Sequence, residues 1–248
     1  MLQTQTIDAL LGLRLEGMAN ALVEQRENAD YQALSFEERL GMMVDRERID
    51  RDNRRLARLL KLAKLRTNAV VEDVDFKSSR GLDRAFVLSL AQSTWVHQHH
   101  HVAIVGPTGV GKTFLGCALA NAAIRQGYSA LYLRAPRLLE DLHIARGDGR
   151  LTKLMSAWAR VDVLLIDDFL IRPMSPDQSA DMLEVIEDRN GRRSTIITSQ
   201  LPIAHWHEAM GDETLADAIL DRLNHNLHRV ELHGDSMRTS DPSKPKVK

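Results

Sequence analysis

Gly106-Pro-Thr-Gly-Val-Gly-Lys112-Thr113 follows directly on the apolar run Val102-Ala-Ile-Val105 and leads into Phe114-Leu-Gly-Cys-Ala-Leu-Ala-Asn-Ala-Ala-Ile124. A buried strand, a glycine-rich turn and a helix in that order are the context of a phosphate-binding loop. Glycines at this spacing reach turn conformations closed to other residues, so successive backbone N–H groups point inward around an anion. The helix N-terminus behind the loop favours negative charge. The pattern predicts that Gly106, Pro107, Thr108, Gly109, Val110, Gly111, Lys112, Thr113 and Phe114 cradle a nucleoside triphosphate, with Lys112 on the β- and γ-phosphates and Thr113 on Mg²⁺.

Further apolar runs extend the pattern on the C-terminal side. Ala130 to Leu133, Val163 to Ile166, Thr195 to Thr198 and Leu227 to Leu232 read as strands, and Pro136 to Ala145, Pro176 to Asn190 and Thr214 to Asn226 read as helices between them. Such alternation predicts an α/β fold with a five-stranded parallel sheet covered by helices on both faces. Open sheets of this kind bind ligands at the carboxyl ends of their strands. Val163-Leu-Leu-Ile-Asp167-Asp168 therefore places two carboxylates at the catalytic edge, about fifty residues after the loop. This is a Walker B arrangement: Asp167 is expected to help hold Mg²⁺, and Asp168 to polarise the attacking water. Ser194-Thr-Ile-Ile-Thr198-Ser199-Gln200 ends at the same edge in polar residues, any one of which is placed either to touch the γ-phosphate or to serve simple turn chemistry.

The first 106 residues hold none of the seven prolines and read as helical. Ile7, Leu10, Leu11, Leu15, Met18 and Leu22 recur at helical spacing and predict one amphipathic face across Gly12 and Gly17. Ser35-Phe-Glu-Glu38 has the form of a capping box and opens a longer helical run to about Arg66. Composition shifts near residue 70, which predicts a helical domain over 1–70, a nucleotide domain over 71–239 and a basic, proline-broken tail over 240–248. At 248 residues with a net charge of −1 the composition is ordinary, so charge has to be read locally. The single cysteine, Cys117, excludes an internal disulfide and a cysteine-rich zinc module. His97-Gln-His-His-His101 reads as loop and strand edge rather than a metal tract. No apolar run approaches a membrane span and no signal-peptide pattern opens the chain, so a cytoplasmic location is the expectation.

Taken together, Gly-Pro-Thr-Gly-Val-Gly-Lys-Thr, Leu-Leu-Ile-Asp-Asp-Phe, Ile-Ile-Thr-Ser-Gln-Leu-Pro, Asp-Ala-Ile-Leu-Asp-Arg-Leu and Gly-Asp-Ser-Met-Arg resemble the AAA+ ATPases of the helicase-loader clade. Within that clade the chain is most similar to the IstB-type helper ATPases that bacterial insertion sequences encode beside their transposase. Leu-Arg-Leu-Glu-Gly-Met-Ala, Leu-Ser-Phe-Glu-Glu-Arg-Leu and Asn-Arg-Arg-Leu-Ala-Arg-Leu-Leu-Lys resemble that family's helical leader, so the likeness runs over nearly the whole chain. The resemblance implies a P-loop AAA+ core behind a small all-helical N-terminal domain, with ATP and Mg²⁺ as cofactors. It implies that Arg222 is an arginine finger reaching the nucleotide of a neighbouring subunit, that Arg238 is a sensor within its own subunit, and that Gln200 acts as sensor one. An arginine supplied in trans stabilises transition-state charge and makes hydrolysis depend on assembly. Asp168 stands where many AAA+ proteins have glutamate, which predicts slow turnover.

The implied partners are duplex DNA, a transposase and further copies of the chain, with no membrane. The segment from Arg54 to Arg66 is net positive, and Arg54, Arg55, Arg58, Lys61 and Lys64 are its candidate DNA contacts. On charge alone a solvated helix fits as well, and the resemblance points to DNA. Without interleaved aromatics, contact with the phosphate backbone is favoured over base stacking. The leading reading is an ATP-dependent transposition helper. The alternatives are a replicative helicase loader and a non-hydrolysing scaffold that uses ATP only for assembly.

Overall fold

The computed structural model describes residues 2–237, and the chain divides into two compact units that meet between Arg58 and Leu59. Arg238 and the tail 240–248 lie outside the described residues.

The first unit is helical. Helices α1 (Leu2–Gly12) and α2 (Glu16–Glu27) precede α3 (Phe36–Ala63), whose first part belongs to this unit. The single amphipathic face expected from Ile7 to Leu22 is broken into two helices. Arg14 adopts a left-handed φ of 59°, its N–H bonds the Leu11 carbonyl at 2.9 Å, and the Leu15 N–H bonds that of Leu10 at 2.9 Å. Those two bonds are the Schellman closure of a helix, made here without glycine at the left-handed position. Ser35 and Glu38 form the expected capping box at the start of α3. Further along, the buried Glu47 carboxylate accepts from the Gly17 N–H at 2.7 Å and the Met18 N–H at 3.3 Å, so α3 caps the open N-terminus of α2. A Cβ on Gly17 would lie 2.6 Å from Glu47 Cα, and only glycine permits that approach.

The second unit is a five-stranded sheet: β1 (His101–Val105), β2 (Ala130–Arg134), β3 (Val163–Phe169), β4 (Ser194–Ser199) and β5 (Leu227–Glu231). Every pairing is parallel, in the spatial order β2-β3-β4-β1-β5, as the alternation of apolar runs predicts. After α4 (Arg84–Ala91) and the short α5 (Thr94–His97) come α6 (Lys112–Arg125), α7 (Ala135–Gly147), α8 (Leu151–Arg160), α9 (Pro176–Arg189) and α10 (Glu213–Asn224). Alternation along β3 separates the two faces. Leu165 faces α6, where a Cβ on Gly116 would meet its Cδ1 at 3.1 Å, whereas Leu164 and Ile166 join the core with Leu138, Leu142, Val185, Ile219 and Leu223 from α7, α9 and α10. Helix α8 went unread in the sequence; it contributes the buried Trp158 to that core.

The chain leaves β1 towards β2 on one side, and leaves β4 for β5 on the other. The carboxyl ends of β1 and β4 therefore flank the switch point, where an open sheet leaves a crevice for a ligand. The third strand runs three residues past the expected Ile166. Register slips between Ile166 and Phe169, and Asp168 takes a left-handed φ of 58°. This bulge adds one residue to β3 at the position of the two carboxylates. It also lets Phe169 return to the core, edge-on to the buried Trp206 with centroids 5.1 Å apart.

Candidate active site

The glycine-rich loop leaves β1 at Val105 and enters α6 at Lys112. Gly106 has a φ of 149°, and a Cβ there would stand 2.2 Å from the Leu232 carbonyl oxygen, so the loop lies hard against the segment that leaves β5. Backbone bonds lock the two together: Leu232 N–H to the Val105 carbonyl at 2.8 Å and Met237 N–H to that of Gly109 at 3.0 Å. Val110 is fully buried beneath the loop, and its carbonyl accepts from Arg80 Nη1 at 2.9 Å. Lys112 is only 8% exposed, and its Nζ donates to the carbonyls of Gly106 at 2.8 Å and Pro107 at 2.7 Å. Its ammonium is thus folded back over the turn that it would share with phosphate oxygens. A cavity of about 380 Å³ opens beside the loop, lined among others by Thr108, Gly111, Lys112, Thr113 and Gln200.

Asp167 is completely buried at the end of β3. It accepts from Thr113 Oγ1 at 2.8 Å, from Tyr132 Oη at 2.7 Å and from the Thr198 hydroxyl. Three neutral donors hold one carboxylate in one orientation without cancelling its charge. Burial, followed by the Asp167 carboxylate, pushes the Tyr132 phenol well up from its ordinary range, so Tyr132 remains a donor. Asp168 points elsewhere. Its Oδ2 receives Arg134 Nε at 3.0 Å and Nη2 at 2.8 Å, and its N–H meets Thr198 Oγ1 at 3.2 Å. Arg66 Nη1 lies 3.6 Å from Asp167 and 4.0 Å from Asp168.

Gln200 Oε1 accepts from Thr108 Oγ1 at 2.6 Å, tying the end of β4 to the tip of the loop. Ser199 is buried and donates to the Phe169 carbonyl at 2.7 Å, a bond that bridges the bulge. Of the expected residues, Thr108, Gly109, Gly111, Lys112, Thr113, Phe114, Asp168 and Gln200 line this one cavity, with Asp167 bonded to Thr113 beneath. Arg222 does not join them. It projects from α10 into a different hollow with Leu151, Met155 and Leu183, where it pairs with Glu187 and donates to the Ala218 carbonyl at 2.8 Å. Arg238 lies outside the described residues, although Met237 reaches the cavity.

Thr198 stands at this edge among the polar residues that the sequence places there. Tyr132, Arg134, Arg66 and Arg80 escaped the sequence reading of the site. They are brought in by the register of β2 on β3, which sets Arg134 opposite Asp167, and by chain folding before β1.

Among the described residues no cluster of three or more His, Cys, Asp or Glu side chains is placed to hold a metal. One hydroxyl and one carboxylate, Thr113 and Asp167, fit an ion that keeps several waters and takes phosphate oxygens as its other ligands, which is how Mg²⁺ is usually held. On α3, Arg54 is exposed but pairs with Glu16 and, at 3.5 Å, with Glu47. Arg55 is exposed as well; Arg58, Lys61 and Lys64 are exposed and make no ion pair among the described residues. No described helix is long and apolar enough to cross a membrane.

Comparison with known proteins agrees with this geometry. Solved structures sharing the fold include DnaI, at 22% identity and a TM-score of 0.57 over 66% of this chain and 91% of that one. The DnaC helicase loader aligns at 23% identity and a TM-score of 0.56 over 66% and 97% of the two chains. An insertion sequence ATP-binding protein of Sinorhizobium fredii is 49% identical over 96% of this chain and 97% of its own length. The corresponding protein of insertion sequence IS1162 from Pseudomonas fluorescens is 50% identical over 82% and 88%. The family model described as IstB-like ATP binding protein matches residues 9–245, and with the phosphate loop, the buried Asp167 and the five-stranded order in place, the chain belongs to that family.

Proposed function

We propose that this protein is an ATP-hydrolysing helper of DNA transposition that assembles on duplex DNA with ATP and Mg²⁺ and activates a partner transposase. The insertion-sequence origin of its full-length relatives supports the transposition role and favours it over helicase loading, for which the likeness is one of fold alone. In the site, the loop N–H groups and Lys112 bind the phosphates, and Thr113 with Asp167 holds the metal. Bound Mg²⁺ would offset phosphate charge and fix the geometry of the terminal group. Tyr132 and Thr198 keep the Asp167 carboxylate oriented. Asp168 lines the cavity as the group for the attacking water, and its Oδ2 is engaged by Arg134, which supports slow turnover. Exposed Arg58, Lys61 and Lys64, with Arg55, are the DNA contacts. Arg54 contributes less, because it is spent on Glu16 and Glu47.

The observation that carries the shared-site reading is the position of Arg222. It lines a hollow separate from the nucleotide cavity, which supports the reading that its guanidinium serves the nucleotide of another subunit. Complementation tests this. Arg222→Ala and Lys112→Ala proteins should each lose DNA-stimulated phosphate release by about a thousandfold or more. Mixed in equal amounts, they should recover roughly a quarter of wild-type activity, because a head-to-tail contact draws a sound loop half the time and, independently, a sound finger half the time. A mixture as inactive as its components would refute an active site shared between subunits.

A further inference from the structure

Two arginines from the segment before β1 line the nucleotide cavity, and they differ in what holds them. Arg80 is fixed by backbone: it donates to the carbonyls of Val110 and Asp75. Arg66 is held by charge, between Asp167 Oδ2 at 3.6 Å and Asp168 Oδ2 at 4.0 Å, with its side chain 47% exposed. Both distances exceed a good hydrogen bond, so the carboxylates hold Arg66 by charge while the Tyr132 hydroxyl is its hydrogen-bond partner there. The carboxylates it faces are on the Thr113 side of the cavity, the side of the metal and the terminal phosphate. Asp167 needs a cationic neighbour because three hydroxyls orient it but leave its charge uncompensated in a buried position. Among the described residues, Arg66 and Arg134 are the cations that pair with these two carboxylates. A guanidinium so placed has a stronger partner in a phosphate oxygen, which it can meet with a planar pair of N–H groups.

We propose that Arg66 is a binding residue for the terminal phosphate of ATP supplied in cis, held against Asp167 and Asp168 until nucleotide arrives, so that the site distinguishes ATP from ADP. This rests on the nucleotide reading above and adds how triphosphate is told from diphosphate. Arg66 follows the end of α3 by three residues, past a left-handed turn at Lys64 with a φ of 50°.

The test is equilibrium binding of fluorescent ATP and ADP, with Mg²⁺, to full-length wild type, Arg66→Gln and Arg66→Lys. Arg66→Gln should weaken ATP about tenfold, the scale of a hydrogen bond to a charged group, and ADP by less than about twofold. Arg66→Lys should recover part of the ATP loss because it keeps the charge without the planar fork. Retained ADP binding reports that the variants are folded around the site. Equal losses for both nucleotides would make Arg66 a mere support of the cavity wall and overturn the proposal, as would no loss at all. Wild-type protein that bound neither nucleotide would overturn the nucleotide reading and this inference together. Wild type that binds both, with an unchanged ratio in Arg66→Gln, overturns Arg66 alone.

Discussion

Replacing Arg189 by leucine tests what sets the sheet beneath the site. Arg189 ends α9 and is fully buried. Its Nη1 donates to the carbonyls of Trp158 and, at 3.0 Å, Val161; its Nη2 donates to Ser194 and, at 3.4 Å, Asp162; its Nε meets Thr195 Oγ1 at 3.2 Å. One side chain thus joins the end of α8 to the entries of β3 and β4, whose far ends carry Asp167 and Thr198. Leucine would leave three well-made carbonyl acceptors and a hydroxyl without donors. At about 1–3 kcal/mol for each buried group left unsatisfied, the gross loss is several kcal/mol. Relief from burying a guanidinium offsets part of it, leaving about 3–5 kcal/mol. For a chain of this size each kcal/mol lowers Tm by about 2–4 °C, so the midpoint should fall by about 10 °C. Thermal unfolding followed by circular dichroism measures this, with Arg189→Lys as an intermediate that keeps a donor and a charge. A leucine variant melting within about 2 °C of wild type would refute the idea that these bonds hold the strand entries.

His101 predicts a pH dependence. Burial, reinforced by the Arg189 charge, lowers its pKa from the ordinary 6.5 to about 4, so the folded protein keeps it neutral while the unfolded chain protonates. Its contribution is therefore intact above pH 6.5 and is lost as pH falls from 6.5 to about 4, by about 3 kcal/mol in all. Denaturant titrations across that window should give a flatter curve for His101→Val than for wild type; parallel curves would contradict the assignment. Gly106→Ala would set a Cβ 2.2 Å from the Leu232 carbonyl, a backbone contact that no rotamer relieves. ATP affinity should drop more than about tenfold with a Tm loss of several degrees, and wild-type binding by calorimetry would show that the loop has more room than its geometry allows.

The sheet was legible because its signals are local. The apolar runs before Gly106 and Asp167 admit few readings, and four of the five strands lie within two residues of where the residue pattern places them. The phosphate loop was legible for the same reason, since its chemistry lies in consecutive residues. The break at Arg14 was not, because the left-handed position falls on an arginine, and nothing in its residue type announces a helix end. Helix α8 went unread although Leu151, Leu154, Met155 and Trp158 recur at helical spacing, because at 10 residues it is short and no side chain caps its start.

Sequence by itself determined the nucleotide chemistry, the parallel α/β architecture and the order of the elements, since each follows from residue types at fixed short spacing. Only the tertiary structure decided how the charges are shared. The register of β2 against β3 delivers Tyr132 to Asp167 and Arg134 to Asp168, and the bulge at Asp168 turns two adjacent carboxylates to different partners. It also decided that Arg66 reaches the carboxylates while Arg222 stands at a separate hollow. These are contacts between residues tens of positions apart, and their distances are set by how strands and helices pack, which no local pattern encodes.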